Sequence, residues 1–186
     1  EQEADAIILC SGYLHHFPFL PDELRLQTDN RLWPLNLYKG IFWEENPRLM
    51  YLGMQDQFYT FNMFDAQAWY ARDCIMGRID LPGLEIMRQH SRVWRDREEK
   101  LEDDEQMIRF QGDYVQELIN ETDYPNFNVE AVNKTFLAWE HHKHENIMTF
   151  RDNAYPSLMT GNAQPTHHTP WLEAMDDSME SYLTFY

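Results

Sequence analysis

The spacing of apolar and polar positions changes several times along this chain, and each change marks an element. Ala6-Ile7-Ile8-Leu9-Cys10 is an unbroken apolar run, which suits a strand covered on both faces in a parallel sheet. Ser11-Gly12-Tyr13 ends it. Leu24-Arg25-Leu26 and Arg31-Leu32-Trp33 flank a polar Gln27-Thr28-Asp29-Asn30, which predicts a hairpin. Ile41-Phe42-Trp43 predicts another short strand. Leu49-Met50-Tyr51-Leu52, stopped by Gly53, predicts one buried strand. Beyond a polar loop the period becomes helical. Phe61, Phe64, Ala68, Ala71 and Ile75 share one helix face. Thr60 is placed to cap the first turn and Gly77 to end the helix in a left-handed conformation. Ala68 and Ala71 are small enough to let the helix lie close against a sheet.

After Gly77 the chain reads as helix and loop. Leu84, Met87, Ser91 and Trp94 predict a helix over 83–101. Met107, Tyr114, Val115, Leu118 and Ile119 predict a second, weakened by Gly112. A break with Pro125 follows. Val132, Phe136, Trp139 and Ile147 then predict a third over 129–149. Thr169 and Pro170 open a last helix, with Trp171, Met175, Met179 and Tyr182 on one face. The expected architecture is α/β, with parallel-sheet strands and a hairpin in residues 1–80 and a mainly helical extension packing on them in 81–186.

Length and composition narrow this reading. The chain has 186 residues, 43% hydrophobic and 15% aromatic, so it suits one folded domain rather than a disordered chain. Its formal charge is −17, most of it in residues 81–186. That excludes a nucleic-acid partner and offers no basic patch to an anionic membrane. Cys10 and Cys74 sit among apolar residues, as small core thiols in a reducing, cytoplasmic setting. No apolar run reaches membrane length. The abrupt start, EQEADAIILC, is expected of a fragment.

Candidate chemistry centres on residues 49–77, LMYLGMQDQFYTFNMFDAQAWYARDCIMG. A strand, a tight polar loop and a helix N-terminus together suit an anionic or electron-rich group. An ordinary strand-to-helix connection is the alternative. Histidines cluster at 15–16, at 141, 142 and 144, and at 167–168. Glu140 or His141 would share a helix side with His144, a spacing that can bind a metal. No third ligand is near in sequence, so a solvated or subunit-facing patch is preferred and no metal is assigned. Asn120-Glu121-Thr122 and Asn133-Lys134-Thr135 match the glycosylation acceptor pattern by chance. No Gly-x-Ser-x-Gly elbow and no Gly-x-Gly-x-x-Gly occur, which removes hydrolase readings and a dinucleotide cradle from this chain.

Two stretches together carry a family resemblance. Asp5-Ala6-Ile7-Ile8-Leu9-Cys10-Ser11-Gly12-Tyr13 resembles a segment that two-dinucleotide-domain flavoproteins carry late in the chain, with Ser11 where Thr is usual. MQDQFYTFNMFDAQAWYARDCIMG, with RLWPLNLYKGIFWEENP before it and NKTFLAWEHHKHENIMTFRD after it, resembles bacterial flavin-containing monooxygenases, in particular those acting on trimethylamine. The resemblance covers essentially the whole chain. It implies the C-terminal part of an FAD- and NADPH-dependent enzyme, inactive by itself, that N-oxygenates small tertiary amines with dioxygen through a flavin hydroperoxide. The missing N-terminal part and a second subunit would be its partners. It places Gln57 and Thr60 against the flavin and Asp56 near nicotinamide and substrate. A carboxylate there has a rationale, because a protonated amine must lose its proton before its lone pair can react. The alternatives are a purely structural helix-end carboxylate at Asp56 and, for the chain, a non-catalytic module whose acidic helical tail serves assembly.

Overall fold

The structure, a computed structural model, describes residues 6, 8, 9, 15–26, 31–56 and 58–155. A short 3-10 helix (Asp22–Leu24) precedes the strands β1 (Leu37–Tyr38) and β2 (Phe42–Trp43). Four helices follow: α1 (Phe61–Ile75), α2 (Leu84–Glu98), α3 (Asp104–Asn120) and α4 (Val129–Glu145), with a 3-10 turn at Phe150–Asp152. No helix among the described residues is long and apolar enough to cross a membrane.

The strands differ most from expectation. Among the described residues the one sheet is β1–β2, an antiparallel pair with Leu37 opposite Trp43 and Tyr38 opposite Phe42. The expected parallel sheet is not found there. Ile8 and Leu9 are 85% and 84% exposed and lie in no strand. A parallel strand needs hydrogen-bonded neighbours on its flanks, and no described segment supplies them. The hairpin predicted over 24–33 is displaced to 37–43. Pro21 and Asp22 start a 3-10 turn instead, and the Tyr51 hydroxyl bonds both Leu24 O and Leu26 N (3.2 Å for the latter), where ladder bonds were expected. The run at 49–52 does lie alongside β2, but only as an isolated antiparallel bridge, Phe42 to Met50. Trp43 N and Tyr51 N bond across it to Leu49 O (3.0 Å) and Ile41 O (2.8 Å).

The helices form where the period places them, except that the one expected over 129–149 ends at Glu145 and leaves Ile147 outside it, 60% exposed. α3 opens on Asp103, whose side chain accepts from Gln106 N at 2.8 Å, and α4 on Asn128, which accepts from Ala131 N at 3.0 Å. Gly77 ends α1 at φ 67°, with Arg78 N bonded to Asp73 O (2.8 Å) and Gly77 N to Cys74 O (3.1 Å), the paired bonds of a Schellman cap. The phase of α1 departs from the expected face. Met63, Ala66, Gln67, Tyr70 and Ala71 are buried, whereas Phe61 and Ile75 are 77% and 70% exposed and Ala68 is exposed too. This helix is apolar on two sides, so period alone does not choose the inner one. It packs mainly on α3 and meets the sheet through Tyr70, whose ring lies 6.2 Å from that of Phe42 in β2.

One core crosses residue 80. Trp33 stacks on Trp94 of α2 at 5.0 Å, and Trp94 meets Phe110 and Tyr114 of α3 edge-on at 5.0 and 5.8 Å. Ile41, Met63, Ile108, Val115 and Leu118 fill the space between hairpin and helices. Gly112 of α3, read as a weak point, is a contact point: a Cβ there would lie 2.5 Å from Asn133 Oδ1 on α4. The last predicted helix, with Trp171 and Tyr182, lies outside the described residues, as do Cys10 and the histidines at 167–168.

Candidate active site

The loop between Gly53 and α1 is built by two buried glutamines from the helices beneath it. Gln67 of α1, fully buried, accepts from Gly53 N (2.8 Å) and donates to Gln55 Oε1 (2.9 Å) and the Tyr114 hydroxyl (2.9 Å). The Tyr114 hydroxyl in turn donates to Lys39 O at 2.6 Å. Gln111 of α3, 1% exposed, accepts from Phe58 N (2.7 Å) and Tyr59 N (3.2 Å) and donates to Asp56 O (2.5 Å). Asp56 N donates to Arg31 O at 2.8 Å. The backbone of Asp56 is therefore held from both sides while its side chain is exposed.

Asp56 and Thr60, two of the three predicted site residues, line one cleft of about 400 Å³. Gln57, the third, lies outside the described residues. The opposite wall comes from α4, through Phe136, Trp139, Glu140 and Lys143. Lys143 bridges both oxygens of Glu140 at 3.1 Å and lies 5.1 Å from the Trp139 ring. Tyr59, beneath the loop, donates to Asn133 Oδ1 at 2.7 Å, and burial pushes its hydroxyl pKa up. Its role is to tie loop to α4. A second cleft of about 380 Å³, lined by Arg31, Glu98, Asp104 and Met107, meets the first at Asp56 and Phe58.

Thr60 occupies the N-cap position of α1, but its hydroxyl makes no capping bond. No acidic residue stands in the first turn of α1. The helix end thus presents its first amides and a hydroxyl without a competing carboxylate in that turn, which fits an electron-rich ring edge.

The remaining candidates sort by burial. Asn133 is 5% exposed and bonded to Tyr59, so its acceptor motif is not a surface sequon. Cys74 is a free, half-buried thiol, pushed up to about 11 mainly by burial, which makes it a poor nucleophile. Asp104 from α3 approaches Glu140 and His144, supplying a third group that sequence spacing did not reveal. His144 is nonetheless 71% exposed, and Glu140 is already paired with Lys143. Sequence reading missed Gln67 and Gln111. A polar residue amid Met63, Ala66 and Tyr70 was the available signal for Gln67, and nothing local marked Gln111.

Residues 1–139 match the family model described as flavin-binding monooxygenase-like. The chain belongs to that family. It is 57% identical to the trimethylamine monooxygenase of Pelagibacter ubique (strain HTCC1002), over 98% of this chain and 41% of that protein. It is 58% identical to the trimethylamine monooxygenase of Methylocella silvestris, over 98% of this chain and 40% of that one. The crystal structure of Tmm from Pelagibacter sp. strain HTCC7211 superposes with a TM-score of 0.86 at 54% identity, covering 97% of this chain and 41% of that one. The chain thus spans about two fifths of the length of the curated relatives it matches.

Proposed function

We propose that this chain works as the C-terminal part of an FAD- and NADPH-dependent monooxygenase that N-oxygenates small tertiary amines such as trimethylamine. The observation that carries this reading is the Asp56 cleft. This exposed residue stands on a fixed backbone in a cleft also lined by Phe58, Phe136 and Trp139. A carboxylate beside aromatic faces suits a small alkylammonium ion, which it attracts by charge while the rings meet its methyl groups. Asp56 then accepts the ammonium proton, leaving the nitrogen lone pair free to react. FAD, reduced by NADPH, supplies the activation of dioxygen. Thr60, at the start of α1, and Gln57 of the preceding loop sequence contact the flavin in this reading. The chain alone is inactive and retains no FAD, because it carries no Gly-x-Gly-x-x-Gly turn for the pyrophosphate. The enzyme is a cytoplasmic homodimer in this reading, with the helical extension covering apolar surface.

The test uses the complete enzyme carrying Asp56→Asn, which keeps shape and removes charge. FAD content and folding should match the parent, and amine oxygenation should fall by about a hundredfold. Thr60→Val should instead loosen FAD by about 1 kcal/mol, the value of one hydrogen bond. Parental turnover by Asp56→Asn across the pH range rejects the proton-handling role. Tightly bound FAD on the isolated chain rejects its proposed dependence on the rest of the enzyme.

A further inference from the structure

Asp56 and Phe58 are the two residues that line both clefts, and one side chain from below holds the backbone of each. Gln111 of α3 accepts from Phe58 N (2.7 Å) and Tyr59 N (3.2 Å) through Oε1 and donates to Asp56 O (2.5 Å) through Nε2. A carboxamide in this orientation meets two donors at one end and an acceptor at the other. A carboxylate supplies no donor for Asp56 O, and an apolar side chain leaves all three groups without this partner. Gln111 is 1% exposed and lines neither cleft. Any effect it has on a bound molecule therefore passes through the residues it holds.

The same segment has further anchors. Tyr59, fully buried, donates to Asn133 Oδ1 (2.7 Å) of α4, and Asn133 is itself 5% exposed. Asp56 N donates to Arg31 O (2.8 Å). Three separate stretches of chain thus hold Asp56, Phe58 and Tyr59. Two of the three belong to the helical extension, more than 50 positions further along.

We propose that Gln111 is a positioning residue for amine oxygenation, setting the place of Asp56 against the reacting nitrogen. The helical extension is then part of the catalytic apparatus and not only a cover. This rests on the role given above to Asp56, and on the different reach of the two things that a carboxylate does there. Its attraction for a cation falls only inversely with distance, so it survives a small displacement. Accepting a proton needs hydrogen-bond reach, and a displacement of about 1 Å costs about a hundredfold in rate. Loss of Gln111 slows the proton step and leaves the cation bound.

Trimethylamine turnover by the complete enzyme, counted per bound FAD, tests this with Gln111→Met, which keeps the length and adds no charge. Its kcat should fall about tenfold or more, with KM within about twofold of the parent. The double variant Asp56→Asn/Gln111→Met should be no slower than Asp56→Asn, because the group being positioned is already lost, whereas a merely structural defect adds to it. Should Gln111→Met not fold, Tyr59→Phe, which keeps the ring and deletes the tie to α4, should give the same pattern with a loss of about threefold or more. Parental kcat in the folded variant, a loss carried by KM, or full additivity in the double variant overturns the positioning role and leaves that of Asp56 standing. Parental turnover by Asp56→Asn overturns both.

Discussion

The polar loop and the helix start that carry Asp56 and Thr60 could be read from the sequence because their signals are local. A polar loop, a cap-type residue and a helical period follow one another within a few positions, and short-range steric and hydrogen-bonding rules decide what such a run does. What fixes Asp56 is not local at all. Gln111 lies more than 50 positions away and becomes a loop support only when α3 folds against the loop. Removing its carboxamide should therefore be disproportionately damaging. Gln111→Leu fits the volume but orphans Phe58 N and Tyr59 N and frees Asp56 O, at about 2–3 kcal/mol. Gln116→Leu, which removes one surface bond to Asn120, should stay within about 0.5 kcal/mol. Urea denaturation of both variants checks the contrast. Equal midpoints would show that Gln111 merely fills space.

At the scale of elements, the four described helices were legible, and so were the inner faces of α2 and α3, but the facing of α1 was not. Capping residues and a 3.6 period locate a helix whichever way it is turned. The turn of α1 was decided by what it meets, namely Gln55 and Tyr114 drawing Gln67 inward and leaving Phe61 and Ile75 outside. The strands show the converse. Apolar runs at 6–10 and 49–52 can form strands, but pairing depends on neighbours that the run itself does not specify. Gly112 joins the two lessons, because propensity and packing give opposite signs for one substitution. In an isolated helix Gly→Ala stabilises by about 1 kcal/mol. Here the new methyl displaces the Asn133 carboxamide and with it the bond from Tyr59. Gly112→Ala should destabilise by about 1–3 kcal/mol, and adding Asn133→Ala should recover part of the loss through strong non-additivity. Additive effects in that double-mutant cycle would place the strain elsewhere.

Across the whole molecule, one carboxylate of α3 reaches both the β1–β2 turn and α2. Glu117 of α3 bonds Lys39 in the β1–β2 turn (2.5 Å), His90 of α2 (2.7 Å) and Trp94 Nε1 of α2 (3.1 Å). Lys39, 3% exposed, also pairs with Glu121 at 2.5 Å. Burial alone would raise the Glu117 pKa, but hydrogen bonds and charge from His90 and Lys39 overcome it and hold the group down to about 2. Lys39 is likewise disfavoured as a cation by burial, yet its two carboxylate partners raise its pKa above 10.5. A group lowered in the folded state stabilises fully above its unfolded value and loses that contribution as pH falls. Glu117 should therefore contribute on the order of 2–3 kcal/mol at neutral pH, lost between about pH 4.5 and 2. Lys39, raised instead, contributes fully at neutral pH and loses its share only as pH rises beyond 10.5. Acid also relieves the repulsion of a chain with net charge −17, so the parent's acid limb mixes two opposing effects. Glu117→Gln separates them, since it keeps the repulsion and deletes the titrating hub. Denaturation midpoints at pH 7 and pH 3 should fall less for Glu117→Gln than for the parent. If both fall equally, the junction of hairpin, α2 and α3 is held by its aromatic packing and not by this charge.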